Sequence, residues 1–410
     1  MPKHRRQRAH GWLRHYSSFL SPNAAAALPL ILERNRPQRL RRAAATIGDG
    51  ATQRRRPTRP RMRALTVAPG ARLRWRDVPV PAAPGPDGAI VHPIAASTCD
   101  IDCPLVLGVT QLALPLHLGH ECVAEVLSVG ERVVSVKPGD RVIVPFQISC
   151  GACAPCRAGR PGSCVSVPPL SSYGMGLATG HFGGAFSDQL AVPYADAMLV
   201  SLPDGITPLA AASVADNICD AYRHIAPHLP ALLQADPEAE VLIIAGLSAR
   251  PTFSASGPLY TGLIARALGA RNVNVVDSRA QVREQAERLG LGALRPRALR
   301  RRAPAPLVAH VGTDPLSIAL SQTAPDGICT SSGGLHRSAR IPFFQMWARR
   351  TTLHLGLPHT RALIPDVLEL MVSGSLRPED VVTAVAPLDD APEALREHVF
   401  GGGVKTVLTA

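Results

Sequence analysis

The run CGACAPCRAGRPGSC, residues 150–164, packs four cysteines into one short segment. Cys150, Cys153, Cys156 and Cys164 are spaced C-x2-C-x2-C-x7-C, in a tight loop rich in Gly and Pro. Four thiolates brought together this way make a tetrahedral site, and both its softness and its geometry suit Zn²⁺. Sulfur fills every position, so neither water nor substrate has a place on the metal. A closed site of this kind is structural. Iron–sulfur proteins also use C-x2-C-x2-C, but their fourth cysteine follows after three residues and precedes a proline. Here it follows after seven.

Upstream of this lobe lies a second set of metal-ligating residue types. The stretch LGHECVAE, residues 118–125, sets His120 beside Glu121, and STCDID, residues 97–102, supplies Cys99 and Asp102. A Cys and a His from separate strands, with a third ligand elsewhere, leave zinc one open position, which is the catalytic arrangement. Taken singly, a His or a Cys is as readily a core residue.

Around these motifs the pattern is first strand-rich and then alternating. MRALTV (62–67), GAIVHPIA (88–95), ECVAEVLSVG (121–130) and DRVIVP (140–145) are short runs bounded by Gly, Pro and Asp. The stretch LSVGERVVSVKPGDRVIV (127–144) reads as strand, turn, strand, turn, strand. After about residue 220, VLIIAG (241–246), VNVVDS (273–278) and LVAHVG (307–312) read as buried strands. LYTGLIARALGA (259–270) and AQVREQAERLG (280–290) read as helices between them. This alternation predicts a parallel sheet with helices on both faces. IPDVLELMVSGSL (364–376) reads as a late helix and VKTVLTA (404–410) as a final strand.

The order C-x-x-D, GHE, four-cysteine lobe and dinucleotide-type βαβ resembles the zinc-dependent medium-chain dehydrogenase/reductase family, the alcohol dehydrogenases. The resemblance covers residues 62–410. It implies an α/β protein: a GroES-like β-rich catalytic domain, residues 62–218 and 360–410, plus a Rossmann-like doubly wound parallel sheet domain, residues 219–359. It also implies two zinc ions per chain, one catalytic and one structural, with NAD as hydride carrier and an alcohol or aldehyde as substrate. A polyol or amino-alcohol dehydrogenase of the same superfamily, or a non-enzymatic zinc protein on this fold, stands beside that reading. Family members are often dimers or tetramers, so the resemblance implies a homo-oligomer.

Position by position, Cys99 and His120 match catalytic zinc ligands, Glu121 the glutamate beside the metal, and Asp102 the carboxylate that orients the histidine. The third ligand falls within ASVADNICDAYRHI (212–225). Asp216 matches because it precedes Tyr222 by six residues; Cys219 and Asp220 compete with it. Phe146 matches the aromatic of the substrate pocket. Ile101 stands where the family commonly carries a hydroxyl that relays the alcohol proton, and Pro104 where a relay His is frequent. The proton therefore needs another route.

The nucleotide half departs further from the pattern. VLIIAG is followed by LSARPTFSASGPLYTGLIA, where only Gly246 and Gly257 remain near the turn and Pro258 replaces the last glycine of G-x-G-x-x-G. The insertion includes Arg250. Free N–H groups at SASGPLY still offer a phosphate seat. Asp277 falls where the family places its ribose-binding acid, which favours NAD. Arg279 keeps NADP open. Lys405, in GGGVKTVLTA, matches a basic residue that touches the pyrophosphate.

The net charge of +13 suggests nucleic acid until it is located. Residues 1–61 hold fourteen Arg and one Lys against Glu33 and Asp49, which accounts for all of it, and the body holds 29 basic and 29 acidic residues. The body therefore gives no case for a nucleic-acid partner. The leader reads as a disordered segment. It is a translated upstream segment foreign to the folded protein, a transit peptide, or a polyanion-binding tail. Its apolar run AAAALPLIL (24–32) is too short to span a membrane, and nothing later offers about eighteen uninterrupted apolar residues. Nine clustered cysteines suggest metal in a reducing, cytoplasmic setting.

Overall fold

The structure is a computed structural model and describes residues 60–110, 112–175, 182–248, 253–333 and 338–410. The Arg-rich leader up to residue 59, and Arg250 of the inserted stretch, lie outside the described residues.

Among the described residues, three sheets carry the fold. β1 (Arg61–Ala68) pairs antiparallel with β2 (Arg72–Pro79) along its length, and β4 (Leu116–His117) takes its other edge. β1 thus opens at Arg61, one residue ahead of Met62. The second sheet is built from β3 (Ala89–Ser97), β5 (Glu121–Val129), β6 (Arg141–Val144), β7 (Leu190–Val192) and β8 (Val200–Ser201). Two strands from the end of the chain, β15 (Ala384–Pro387) and β16 (Thr406–Thr409), complete it. Its order is β15-β16-β3-β5-β6-β8, with β7 also paired to β3. The third sheet contains β9 (Glu240–Gly246), β10 (Asn272–Asp277), β11 (Gly292–Leu294), β12 (Ala305–His310), β13 (Thr323–Ser331) and β14 (Thr352–Leu355).

The third sheet has the order β11-β10-β9-β12-β13-β14, and its pairings are parallel. The order reverses at β9, which makes the carboxyl end of that strand the switch point where such sheets bind ligands. Val241 to Ile244 are buried on both faces, as the uninterrupted apolar run requires. Helices α3 (Ser256–Ala267) and α4 (Ala280–Arg288) form the crossovers on either side of β10. The fold is the Rossmann-like and β-rich α/β combination expected. Its core runs unbroken from the parallel sheet, through α2 (Asn217–Ile225) and α6 (Thr360–Val372), to Val123 and Ile143 of the second sheet.

One expected strand is missing. Residues 133–136, VVSV, form an irregular turn between β5 and β6. The N–H groups of Val134 and Ser135 donate to the carboxylate of Asp196, at 3.1 and 2.9 Å, instead of joining a ladder. Val136 is buried, while Val134 is 88% exposed. Strand alternation is present in the sequence, but a side-chain carboxylate captures the backbone first.

The turn that delivers the GHE box is close-packed backbone against backbone. Gly119 has φ +91°, and a Cβ there would lie 2.4 Å from the amide nitrogen of Phe186. The flanking bonds are tight: Ala185 N–H donates to Gly119 O at 2.7 Å and Leu118 N–H to Leu65 O at 3.0 Å. Gly119→Ala is therefore expected to cost at least about 2 kcal/mol of stability. Urea denaturation should show it as a lower midpoint at an unchanged slope.

Candidate active site

Strand register explains why residues far apart in sequence meet. In the antiparallel pair β3–β5, Ser97 lies opposite Glu121, and in β16–β3, Val407 lies opposite Ser97. Cys99, two residues past β3, His120 just before β5, and Lys405 just before β16 therefore gather at one end of the second sheet. Asp216 arrives from the residue preceding α2.

Cys99, His120, Glu121 and Asp216 each offer a ligand atom within 4.8 Å of the others, and all four are buried. His120 Nε2 is 3.4 Å from Asp216 Oδ2, and Cys99 Sγ is 3.4 Å from the same oxygen. Neither nitrogen of the buried His120 ring has a hydrogen-bond partner among the described residues. Asp102, the first residue of α1 (Asp102–Leu107), holds the loop by accepting from Cys99 N–H at 2.7 Å. Its other oxygen lies 4.0 Å from His120 Nδ1. Cys219 and Asp220 sit elsewhere: Cys219 donates to Val214 O at 3.1 Å, and Asp220 pairs with Arg223 at 2.5 Å.

The electrostatics show what this cluster lacks. Burial, then Asp216 and Glu121, push the Cys99 thiol well above its ordinary range. Burial opposes charge on His120, but Asp102, Asp216 and Glu121 outweigh it and bring that group up to about 9. Burial also raises Glu121 to about 7 against the pull of Lys405. A thiol, an imidazole without hydrogen bonds and a carboxylate, buried and crowded, form a donor set that a divalent soft-to-borderline cation would satisfy at once.

The cysteine lobe is a separate cluster of four ligand atoms within the same 4.8 Å limit, partly exposed. The Sγ of Cys153 lies 3.4 Å from that of Cys156 and 3.9 Å from that of Cys164. Tetrahedral zinc with thiolates at ~2.3 Å separates its sulfurs by about 3.8 Å. None of these cysteines is in a disulfide. Burial works against the Cys153 thiolate, yet N–H donors from Val165 and Cys156 bring it down to about 6.

Comparison with known proteins agrees. The alcohol dehydrogenase GroES-like domain family matches residues 85–204. A Mycobacterium tuberculosis protein named "Probable zinc-binding alcohol dehydrogenase" is 30% identical over 333 residues, which is 78% of this chain and 80% of that protein. The chain belongs to the zinc-dependent medium-chain dehydrogenase/reductase family. The alcohol dehydrogenase TADH from Thermus sp. ATN1 superposes with a TM-score of 0.74 at 27% identity, over 85% of this chain and 99% of that one. Some matches are partial: a glutathione-independent formaldehyde dehydrogenase of Pseudomonas aeruginosa is 33% identical over 142 residues, 35% of its length. As a member of this dehydrogenase family, the protein is an oxidoreductase enzyme.

The remaining expected residues of this dehydrogenase fall at two places. Phe146 sits edge-on to His120, with ring centroids 6.2 Å apart. Ile101 precedes α1 and packs on the core of the second sheet. Gly246 ends β9, and its carbonyl accepts from Ser278 N–H at 2.7 Å. Asp277 ends β10, fully buried, and Arg279 holds both its oxygens at 2.9 and 2.6 Å.

Lys405 departs from its expected place at a pyrophosphate. It is fully buried, and its ammonium donates to Glu121 Oε2 at 2.7 Å and to Thr98 O. Burial alone would depress it; Glu121 outweighs that and holds it charged. Sequence reading also missed Ser97 and Asn217. Ser97 donates to Glu121 Oε2 at 2.5 Å. Asn217 donates from its backbone to Glu121 Oε1 at 2.6 Å and from its amide to Cys99 Sγ at 3.4 Å. Only their nearness in sequence to Cys99 and Asp216 signals them.

The lobe generates a direct test. Cys153→Ser should release one metal equivalent and lower the melting temperature, because a closed tetrahedral site loses a ligand. Elemental analysis beside a thermal melt reads both.

Proposed function

We propose that the protein is a zinc-dependent alcohol dehydrogenase-like oxidoreductase that interconverts an alcohol and its carbonyl compound with NAD(P). The observation that carries this reading is the buried His120 imidazole, neither nitrogen of which is hydrogen-bonded among the described residues, crowded against Cys99, Asp216 and Glu121. Cys99, His120 and Asp216 would hold the reactive zinc, with Glu121 beside it. Cys150, Cys153, Cys156 and Cys164 would hold a structural one. Residues 62–218 with 360–410 would be the catalytic domain and 219–359 the cofactor domain. That division is supported by the parallel sheet's lying wholly within Glu240–Leu355.

Zinc would supply Lewis-acid stabilisation of a developing alkoxide, and the nicotinamide ring would exchange the hydride. The chain's own part is positional. Asp102 would fix the ring orientation of His120 and raise its basicity. Lys405, Ser97 and the Asn217 N–H neutralise and tether Glu121. Phe146 would wall the substrate side. Ile101 and Pro104 carry no transferable proton, so the alcohol proton would leave through water. For the dinucleotide, Asp277 at the end of β10 would meet the ribose and the start of α3 the pyrophosphate.

The test is metal content with turnover. About two zinc per chain are expected. His120→Ala should lose one equivalent, keep the lobe's, and abolish NAD(P)-linked alcohol oxidation. Retained turnover in the variant would overturn the assignment.

The partner reading has its own support. α5 (Phe343–Arg349) exposes Phe343, Phe344 and Trp347 at 75, 76 and 71%. It leads into β14, the last strand in the parallel sheet's order, where Leu355 is exposed too. An apolar patch on an open edge is an association surface, and a second copy offers the same edge for closed twofold pairing. Phe344→Asp is expected to shift the protein to monomer in light scattering; an unchanged mass would count against this face.

A further inference from the structure

Asp100 lies between the metal ligand Cys99 and Ile101, yet its carboxylate points into the other half of the molecule. It is buried, and it sits on the first turn of α3. Its Oδ1 accepts from the hydroxyls of Ser254 and Ser256, both at 2.5 Å, and from Ser256 N–H at 3.1 Å. Its Oδ2 accepts from Gly257 N–H at 3.0 Å. A Cβ at Gly257 would lie 2.7 Å from that oxygen, so the glycine is what lets the carboxylate approach.

These are the N–H groups at the helix start after β9, at the switch point of the parallel sheet. An anion belongs there: the free N–H groups and the positive helix end both favour negative charge. The bound carboxylate demonstrates that the seat takes an anion, and also fills it. A pyrophosphate arriving at the same N–H groups would meet the carboxylate in its space and as a like charge. The neighbouring ribose position is likewise closed from within, because Arg279 holds both oxygens of Asp277 and also donates to Phe253 O at 2.9 Å.

We propose that Asp100 is an internal stand-in for the dinucleotide phosphate, a latch that must leave the start of α3 before NAD(P) can bind. This rests on the dehydrogenase reading and deepens it. Free protein is held mainly in the latched form, and the dinucleotide binds the unlatched fraction. Apparent affinity is then reduced by that fraction. Asp100 therefore sets cofactor affinity without touching the reacting atoms, and tight binding is given up for a pre-ordered, satisfied helix start.

The experiment is a fluorescence titration of zinc-loaded, full-length protein with NADH and with NADPH. Asp100→Ala is expected to bind the preferred dinucleotide about tenfold or more tightly than the parent. Asp100→Asn, which keeps an acceptor oxygen and loses the charge, should fall between. Zinc content of each protein is measured alongside. Equal or weaker binding by Asp100→Ala at equal zinc content overturns the latch and leaves the dehydrogenase reading standing. If neither parent nor variant binds either dinucleotide, both readings fall. Should Asp100→Ala not fold, Ser254→Ala decides. It removes one of the hydroxyls that hold Oδ1, and it should tighten binding in the same direction; no change overturns the latch.

Discussion

The buried ion pair between Lys405 and Glu121 is the constraint on which the active region depends. A carboxylate taken out of water must be paired and hydrogen-bonded or it neutralises. Glu121 obtains its ammonium from Lys405 just before the last strand, a hydroxyl from Ser97 on β3, and an N–H from Asn217 at the start of α2. Three elements distant in sequence are thereby fastened to one side chain. The returning strands β15 and β16 thus do more than complete a sheet. They deliver the cation that pairs with a buried glutamate beside a cysteine, a histidine and a second carboxylate.

That pairing leaves the rest of the cluster short of positive charge. Asp102 and Asp216 are buried near the same thiol, and His120 is drawn toward its charged form by them. A metal ion resolves the shortage by replacing a proton with two charges and by accepting the lone pairs of nitrogen and sulfur together. The cysteine lobe lies outside this argument. Its sulfurs are closed on one another and partly exposed, which suits a brace better than a reacting centre.

How much of this was legible in the sequence depended on the range of each signal. The clustering of Cys150, Cys153, Cys156 and Cys164 could be read because all four lie in one short segment and spacing alone brings them together. Cys99, His120 and Asp216 could be read through resemblance, since their meeting is set by strand register that no local pattern displays. The strand at 133–136 was misread because alternation describes what a segment can do, while Asp196, sixty residues on, decides what it does. Lys405 was assigned by position to a ligand, whereas the structure buries it against Glu121. A lysine on a final strand carries no local sign of the carboxylate it will face.

Asp100 shows the same limit from the other side. Within STCDID it reads as a polar neighbour of Cys99. Its meaning appears only when the β-rich half and the start of α3 are brought face to face. The sequence after β9 lacks the G-x-G-x-x-G fingerprint, and the N–H groups at the start of α3 must still be satisfied by something. Asp100, one residue from Cys99, satisfies them. The helix start thus holds an internal anion on the N–H groups that a dinucleotide phosphate would need, and any dinucleotide must compete with the protein's own side chain.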